Sequence, residues 1–147
     1  MAKILFINPV VREEDVPRHV PYGIALLSAI CIEKGHLVQV YDENAWRKGS
    51  KVLGQVFQAD DWDVIGLGGI TTAYSSIKSI VKQARENCPN STIVLGGGIL
   101  TSLPREMMVN FDYKRIREYE KYWSKAHRSD ATEACLPASG APLLVND

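Results

Sequence analysis

Apolar runs and apolar helical stripes alternate along the first 110 residues of the chain. Ile4-Leu5-Phe6-Ile7 is an unbroken apolar run that stops at Asn8-Pro9, the pattern of a strand buried on both faces. Residues 10–21 read as loop. From Tyr22 onward Ile24, Leu27 and Cys31 recur at helical spacing, and Lys34-Gly35 supplies a basic last turn and a glycine stop. Residues 37–42 predict a second strand, with Val38 and Val40 alternating around Gln39 as they do near a sheet edge. A weaker helix is expected over 51–58 and a third strand over 64–67. Tyr74, Ile77, Ile80, Val81 and Ala84 then form a helical stripe closed by Pro89. Residues 93–95 predict a fourth strand, and 103–110 a further helix with Pro104 in its first turn.

Strands that alternate with helices through short connections imply right-handed crossovers and a parallel sheet covered on both faces. The most economical architecture is a flavodoxin-like α/β sandwich with strand order 2-1-3-4 and an uncertain fifth strand. Its first and third strands flank the point where the strand order reverses, the usual position of a ligand crevice. Residues 1–113 form this α/β domain. Residues 114–147 read as a charged helix followed by an irregular tail. Within it, Pro142-Leu-Leu-Val-Asn146 is either a late strand or a terminal tail, and the tail is the reading preferred here.

The 147 residues suit one domain with an adequate core. Lys plus Arg and Asp plus Glu number 17 each, so no global field points to nucleic acid or a membrane surface. Cys31, Cys88 and Cys135 lie far apart without Cys-x-x-Cys spacing, which fits a reduced, cytoplasmic setting. Neither a signal peptide nor a membrane span is expected.

Chemistry concentrates where the strands end. Asp63-Val-Ile-Gly-Leu-Gly-Gly-Ile-Thr-Thr72 and Thr92-Ile-Val-Leu-Gly-Gly-Gly98 are apolar runs stopping at glycines, which let backbone approach a ligand. Asn8, Pro9, Gly68, Gly69, Thr71, Thr72, Gly96, Gly97, Gly98 and Thr101 therefore share one edge in a nucleotide- or cofactor-binding layout. Helices beginning near Thr72 and Ser102 add unpaired amides. Each feature also has a plain structural reading. Glycine pairs serve tight helix–strand packing, Thr71 and Thr72 cap a helix, and Asn8-Pro9 ends a strand. Tyr22 and Gly23 are either a helix entry or a ligand contact made by the long preceding loop.

These segments, in this order, resemble the N-terminal cobalamin (B12)-binding domain of radical S-adenosylmethionine enzymes, a group that includes methyltransferases and the anaerobic cyclase of chlorophyll synthesis. The resemblance covers residues 3–113. It rests on Lys3-Ile-Leu-Phe-Ile-Asn-Pro9, Pro21-Tyr-Gly-Ile-Ala-Leu-Leu27, Glu33-Lys-Gly-His36, Tyr41-Asp-Glu-Asn44, Gly66-Leu-Gly-Gly-Ile-Thr-Thr72 and Leu95-Gly-Gly-Gly98 through Leu103-Pro104. It implies cobalamin as cofactor, held at Asn8, Pro9, Tyr22, Gly23, Gly68, Gly69, Thr71, Thr72, Gly96, Gly97, Gly98 and Thr101. It also implies a separate radical S-adenosylmethionine domain as partner.

The chain departs from the family in three places. Gly98-Ile-Leu-Thr101 replaces the usual Pro-His-Ala-Thr continuation, and Lys114-Arg-Ile-Arg-Glu118 stands where a Gly-Glu-Gly-Glu strand end is usual. The Cys-x-x-x-Cys-x-x-Cys triplet that holds an iron–sulfur cluster does not occur, so no cluster is expected in this chain and catalysis by it alone is not. His19 sits in Asp15-Val-Pro-Arg-His19-Val-Pro-Tyr-Gly23, the wrong spacing for the Asp-x-His-x-x-Gly that places imidazole on cobalt. It reads as a surface-loop residue. A response regulator needs an acceptor Asp at the end of the third strand, where Gly68-Gly69 stand, and the fingerprint for dinucleotides needs its glycines after the first strand. The expected function is thus a cobalamin-binding domain that positions the corrin for methyl transfer or cyclisation. The alternative is a noncatalytic α/β interaction module that has lost the cofactor.

Overall fold

The computed structural model describes residues 1–14 and 20–103 and the backbone of 143–145. Its strands are β1 (Lys3–Asn8), β2 (Leu37–Asp42), β3 (Val64–Gly68), β4 (Thr92–Gly96) and β5 (Leu143–Val145). The helices are α1 (Tyr22–Glu33), α2 (Glu43–Trp46), α3 (Ser50–Gln58), α4 (Tyr74–Asn87) and α5 (Gly98–Ser102), with one 3-10 turn over Thr71–Ala73. The sheet order is β2-β1-β3-β4-β5.

The first four strands are parallel, in register Phe6 with Val40 and Gly66, and Gly68 with Gly96. The apolar runs of β1, β3 and β4 take the central positions, as expected of strands covered on both faces. The flavodoxin-like order 2-1-3-4 is therefore the observed one. The fifth strand corrects the tail reading of residues 142–146: Leu143–Val145 pairs antiparallel with Leu95, Val94 and Ile93. Three apolar residues suffice there because an edge strand needs only one neighbour for its backbone bonds.

A right-handed crossover from β1 to β2 and one from β2 to β3 run in opposite directions along the sheet, so α1 and α3 cover opposite faces. α4 shares the face of α3 and packs beside it. Between them and the sheet lies the core: Leu5, Ile7, Ile65, Leu67, Ile93 and Leu95 on alternate strand positions, with Leu53, Phe57, Ile77, Ile80 and Ala84 from the two helices. Each of the buried Leu, Ile and Phe side chains contributes roughly 1.5–3 kcal/mol. None of the core belongs to α1, whose one buried residue is Ser28, with its hydroxyl on the Ile24 carbonyl. α1 packs against β2 and β1. Its apolar residues encircle the helix, and Leu26, Leu27, Ile30 and Ile32 are exposed.

Two local expectations shift. The predicted helix over 103–110 and the charged helix from 114 lie outside the described residues apart from Leu103. That residue follows α5, so Ser102 closes a helix instead of opening one. α2 was not expected. It forms because Asp42 Oδ1 accepts from the Ala45 amide, an N-cap at the end of β2.

Candidate functional site

The loops leaving β1, β3 and β4 meet at the carboxyl edge of the sheet. The Ile99 amide donates to the Gly69 carbonyl (2.8 Å), tying the loop after β4 to the loop after β3. Gly97 makes this possible twice over. Its φ is +85°, and a Cβ there would stand 2.9 Å from both the nitrogen and the oxygen of Gly69. Gly68 is equally constrained, because a Cβ would collide with the carbonyl of its register partner Gly96. At Gly69 the added carbon would press on Ala73 at 3.2 Å and reach Ile77 and Pro9. Gly68 and Gly97 therefore serve backbone-to-backbone packing and Gly69 the close seating of side chains, causes independent of any ligand.

Gly96 differs. No described atom lies within 4 Å of a Cβ placed on it, and at Gly98 the nearest is 3.8 Å away. The open floor of the edge is thus Gly96, flanked by Gly98. Thr71 and Thr72 stand in the 3-10 turn beside it, both exposed, and neither hydroxyl caps that turn or α4. The capping role open to them from sequence is not used. Thr101 donates to the Gly98 carbonyl at 3.1 Å and so closes its own helix turn.

Other expected site residues sit differently. Asn8 donates through Nδ2 to Asp42 Oδ1 (2.8 Å), the same oxygen that caps α2, which makes it a brace between β1 and α2. Pro9 is fully buried. Tyr22 opens α1 with 79% of its surface exposed, and Gly23 has nothing within 4 Å of a Cβ, so the described residues give neither a partner at the glycine edge. His19 lies outside the described residues. His36 accepts the Ala2 amide on Nδ1, and among the described residues no cluster of His, Cys, Asp and Glu could hold a metal ion. No described helix is long and apolar enough to cross a membrane.

Beside this edge opens a cleft of about 710 Å³ between α3 and α4. Val10 to Glu13 and Thr72 form its lip, Ser75, Ser76, Ser79 and Gln83 one wall, Glu43, Gly49 and Ser50 the other. Glu43 was not singled out from sequence; the serines at 75, 76 and 79 carried a legible signal in their spacing along one helix face. The Glu43 side chain is buried, with Oε1 accepting the Gly49 amide at 2.9 Å and Oε2 without a hydrogen-bond partner. The buried Tyr41 hydroxyl also lacks a partner at full hydrogen-bond geometry, and the Glu43 carboxylate is its hydrogen-bonding neighbour, so the two orphaned atoms belong to one buried pair. Burial, and then the neighbouring Glu43 carboxylate, push the Tyr41 phenol above its ordinary range.

A parallel α/β sheet with glycine-ended strands at its switch point defines a class, the ligand-binding domains that hold a group at the carboxyl edge. The model of the B12 binding domain matches residues 9–121, and the chain belongs to that family. Two solved structures share the fold, both of TsrM, a radical S-adenosylmethionine methyltransferase from Kitasatospora setae. One, with cobalamin and a [4Fe-4S] cluster bound, has 19% identity and a TM-score of 0.62 over 73% of this chain and 20% of that one. The other, with tryptophan substrate and an analogue of S-adenosylmethionine, has 19% identity and a TM-score of 0.60 over 71% and 21%. The chain thus spans about a fifth of the length of these relatives. No curated protein sequence matches it.

Proposed function

We propose that the chain binds cobalamin at the carboxyl edge of the sheet and presents the corrin to a radical S-adenosylmethionine catalytic domain for methyl transfer or cyclisation. The observation that carries the reading is the open floor at Gly96, a cradle that any Cβ would narrow, in a chain of the B12-binding family. Gly96 and Gly98 leave room for a broad, flat ligand. Thr71 and Thr72 offer hydroxyls to its amide-rich rim, and Gly97, through the tie between Gly69 and Ile99, holds the two loops at fixed separation. When bound, cobalamin supplies the methyl-transfer or redox chemistry of its cobalt, and the protein contributes orientation. The mode of binding is histidine-independent, since His19 lacks the coordinating spacing. The protein acts in the cytoplasm, and the chain alone does not cleave S-adenosylmethionine.

Titration of the purified chain with hydroxocobalamin, followed by absorbance after gel filtration, tests this. Saturable, stoichiometric retention of the corrin spectrum is expected. A correctly folded chain that retains no corrin overturns the reading in favour of a noncatalytic interaction module.

A further inference from the structure

We infer that Asn44 and Arg47 are positioning residues for the ligand edge: they hold the backbone of residues 11–13, the start of the loop after β1, on the course that borders the site. The inference rests on the cobalamin reading and adds two residues and a role to it.

The connection from β1 to α1 spans residues 9–21, well beyond the roughly two to six residues usual between a strand and a helix, so its length does not fix its path. Its first residues are nevertheless held at three consecutive positions. The Val11 amide donates to Asn44 Oδ1 at 3.1 Å. The Arg47 guanidinium donates through Nη2 to the Arg12 carbonyl at 2.7 Å and through Nη1 to the Glu13 carbonyl at 3.2 Å. Two further bonds aim that guanidinium, from Nε to the Asn44 carbonyl at 2.7 Å and from Nη2 to Asn44 Oδ1 at 3.3 Å. A planar fork suits two neighbouring carbonyls in a way that a single ammonium does not.

Among the described residues Arg47 is the one non-glycine with a positive φ, +52°, directly after the short α2. A side chain is disfavoured there, and glycine commonly ends helices in this way. The arginine in that place spends its side chain on the loop. The segment that carries it is fixed at its base, where Asp42 Oδ1 accepts from Asn8 and caps α2, and Glu43 Oε1 accepts the Gly49 amide. Asp42, Glu43, Asn44 and Arg47 thus form one bracket at the exit of β1.

The held residues border the site. Pro9 lies 3.6 Å from a Cβ placed on Gly69, and residues 10–13 form the lip of the cleft together with Thr72. A loop already on this course asks no ordering of the ligand. Were a released loop to take it about one time in ten, the apparent affinity would fall about tenfold.

The test separates positioning from stability. Wild type, Arg47→Gly, Arg47→Lys, Asn44→Ala and Asn44→Asp are compared by thermal unfolding, by amide hydrogen exchange over residues 10–14 of the ligand-free chain, and by absorbance titration with hydroxocobalamin. Glycine is at ease with the positive φ, so Arg47→Gly should melt within a few degrees of wild type. Its loop should still exchange several-fold faster, and its corrin affinity should fall roughly tenfold. Arg47→Lys keeps the charge without the fork and should lose affinity several-fold. Asn44→Ala should match Arg47→Gly, and Asn44→Asp, which keeps an acceptor for the Val11 amide, should recover most of that loss. A general loss of stability would not spare the melting temperature or be rescued by one oxygen. If exchange over residues 10–14 is unchanged in both Arg47→Gly and Asn44→Ala, or if these variants or Arg47→Lys bind corrin as wild type does, the positioning role is overturned and the cobalamin reading stands. If wild type binds no corrin at all, both fall.

Discussion

The Gly69 carbonyl accepts the Ile99 amide across the carboxyl edge at 2.8 Å, and Gly97 lies against the same peptide with a positive φ of +85°. Loops after two different strands are thereby one rigid unit. Their glycines divide into those that hold this unit together and the one that floors the space above it.

That division predicts opposite phenotypes for adjacent residues. Gly97→Val should destabilise the fold by about 1–3 kcal/mol, from the strained φ and the close approach to Gly69. Gly96→Val, with no described neighbour within 4 Å, should melt within a few degrees of wild type and lose cobalamin affinity at least tenfold. Thermal unfolding and corrin titration of both variants check this. Equal affinity in folded Gly96→Val would place the ligand elsewhere.

Thr72→Ala should reduce cobalamin affinity by about 0.5–1.5 kcal/mol, one neutral hydrogen bond, and leave the melting temperature unchanged because its hydroxyl caps nothing. His19→Ala should retain full affinity. Loss of a cobalt–imidazole spectral signature in His19→Ala would contradict the histidine-independent mode.

Strand positions and order were legible because the three central strands are continuous apolar runs and α4 carries a stripe of Ile77, Ile80, Val81 and Ala84. The same logic failed at α1. Ile24 and Cys31 turn partly inward as the spacing implies, but Leu27 on that stripe stays in water, and a helix apolar all round gives periodicity no polar side to contrast. For β5, three residues give too short a run to separate strand from tail. At the site, glycines kept for packing and glycines kept for ligand look identical in sequence. Only the carbonyl of Gly96 behind Gly68, and the lack of any described atom within 4 Å of a Cβ at Gly96 itself, tell them apart. The buried Glu43, which accepts the Gly49 amide, was hidden because a single acidic letter does not reveal burial.

Tyr41 makes stability depend on alkaline pH. Burial and then Glu43 raise the phenol's folded-state pKa above the unfolded value of about 10, so the neutral form is favoured in the folded chain. Its contribution is constant below pH 10 and declines as pH rises beyond it, where the unfolded chain ionises first. Tyr41→Phe should show a shallower fall in melting temperature between pH 9 and about 11.5 than wild type. Parallel curves for the two proteins would exclude this role.

Removing residues 114–147 should preserve most of the helical and strand signal, since the core from Leu5 to Ile99 lies before that boundary. It also strips β5 from β4 and leaves Ile93 to Leu95 with an unpaired edge. The shortened chain should therefore melt lower and self-associate, by circular dichroism and size-exclusion chromatography. Complete loss of cooperative unfolding would show that the segment belongs to the folding unit.

Helix α1 also sets the calorimetry of the chain. Leu26, Leu27, Ile30 and Ile32 are already 45–63% exposed in the folded state, so unfolding hydrates less new apolar surface than a chain with this hydrophobic content implies. The heat-capacity increment and the urea m-value should both fall below the size-based norm.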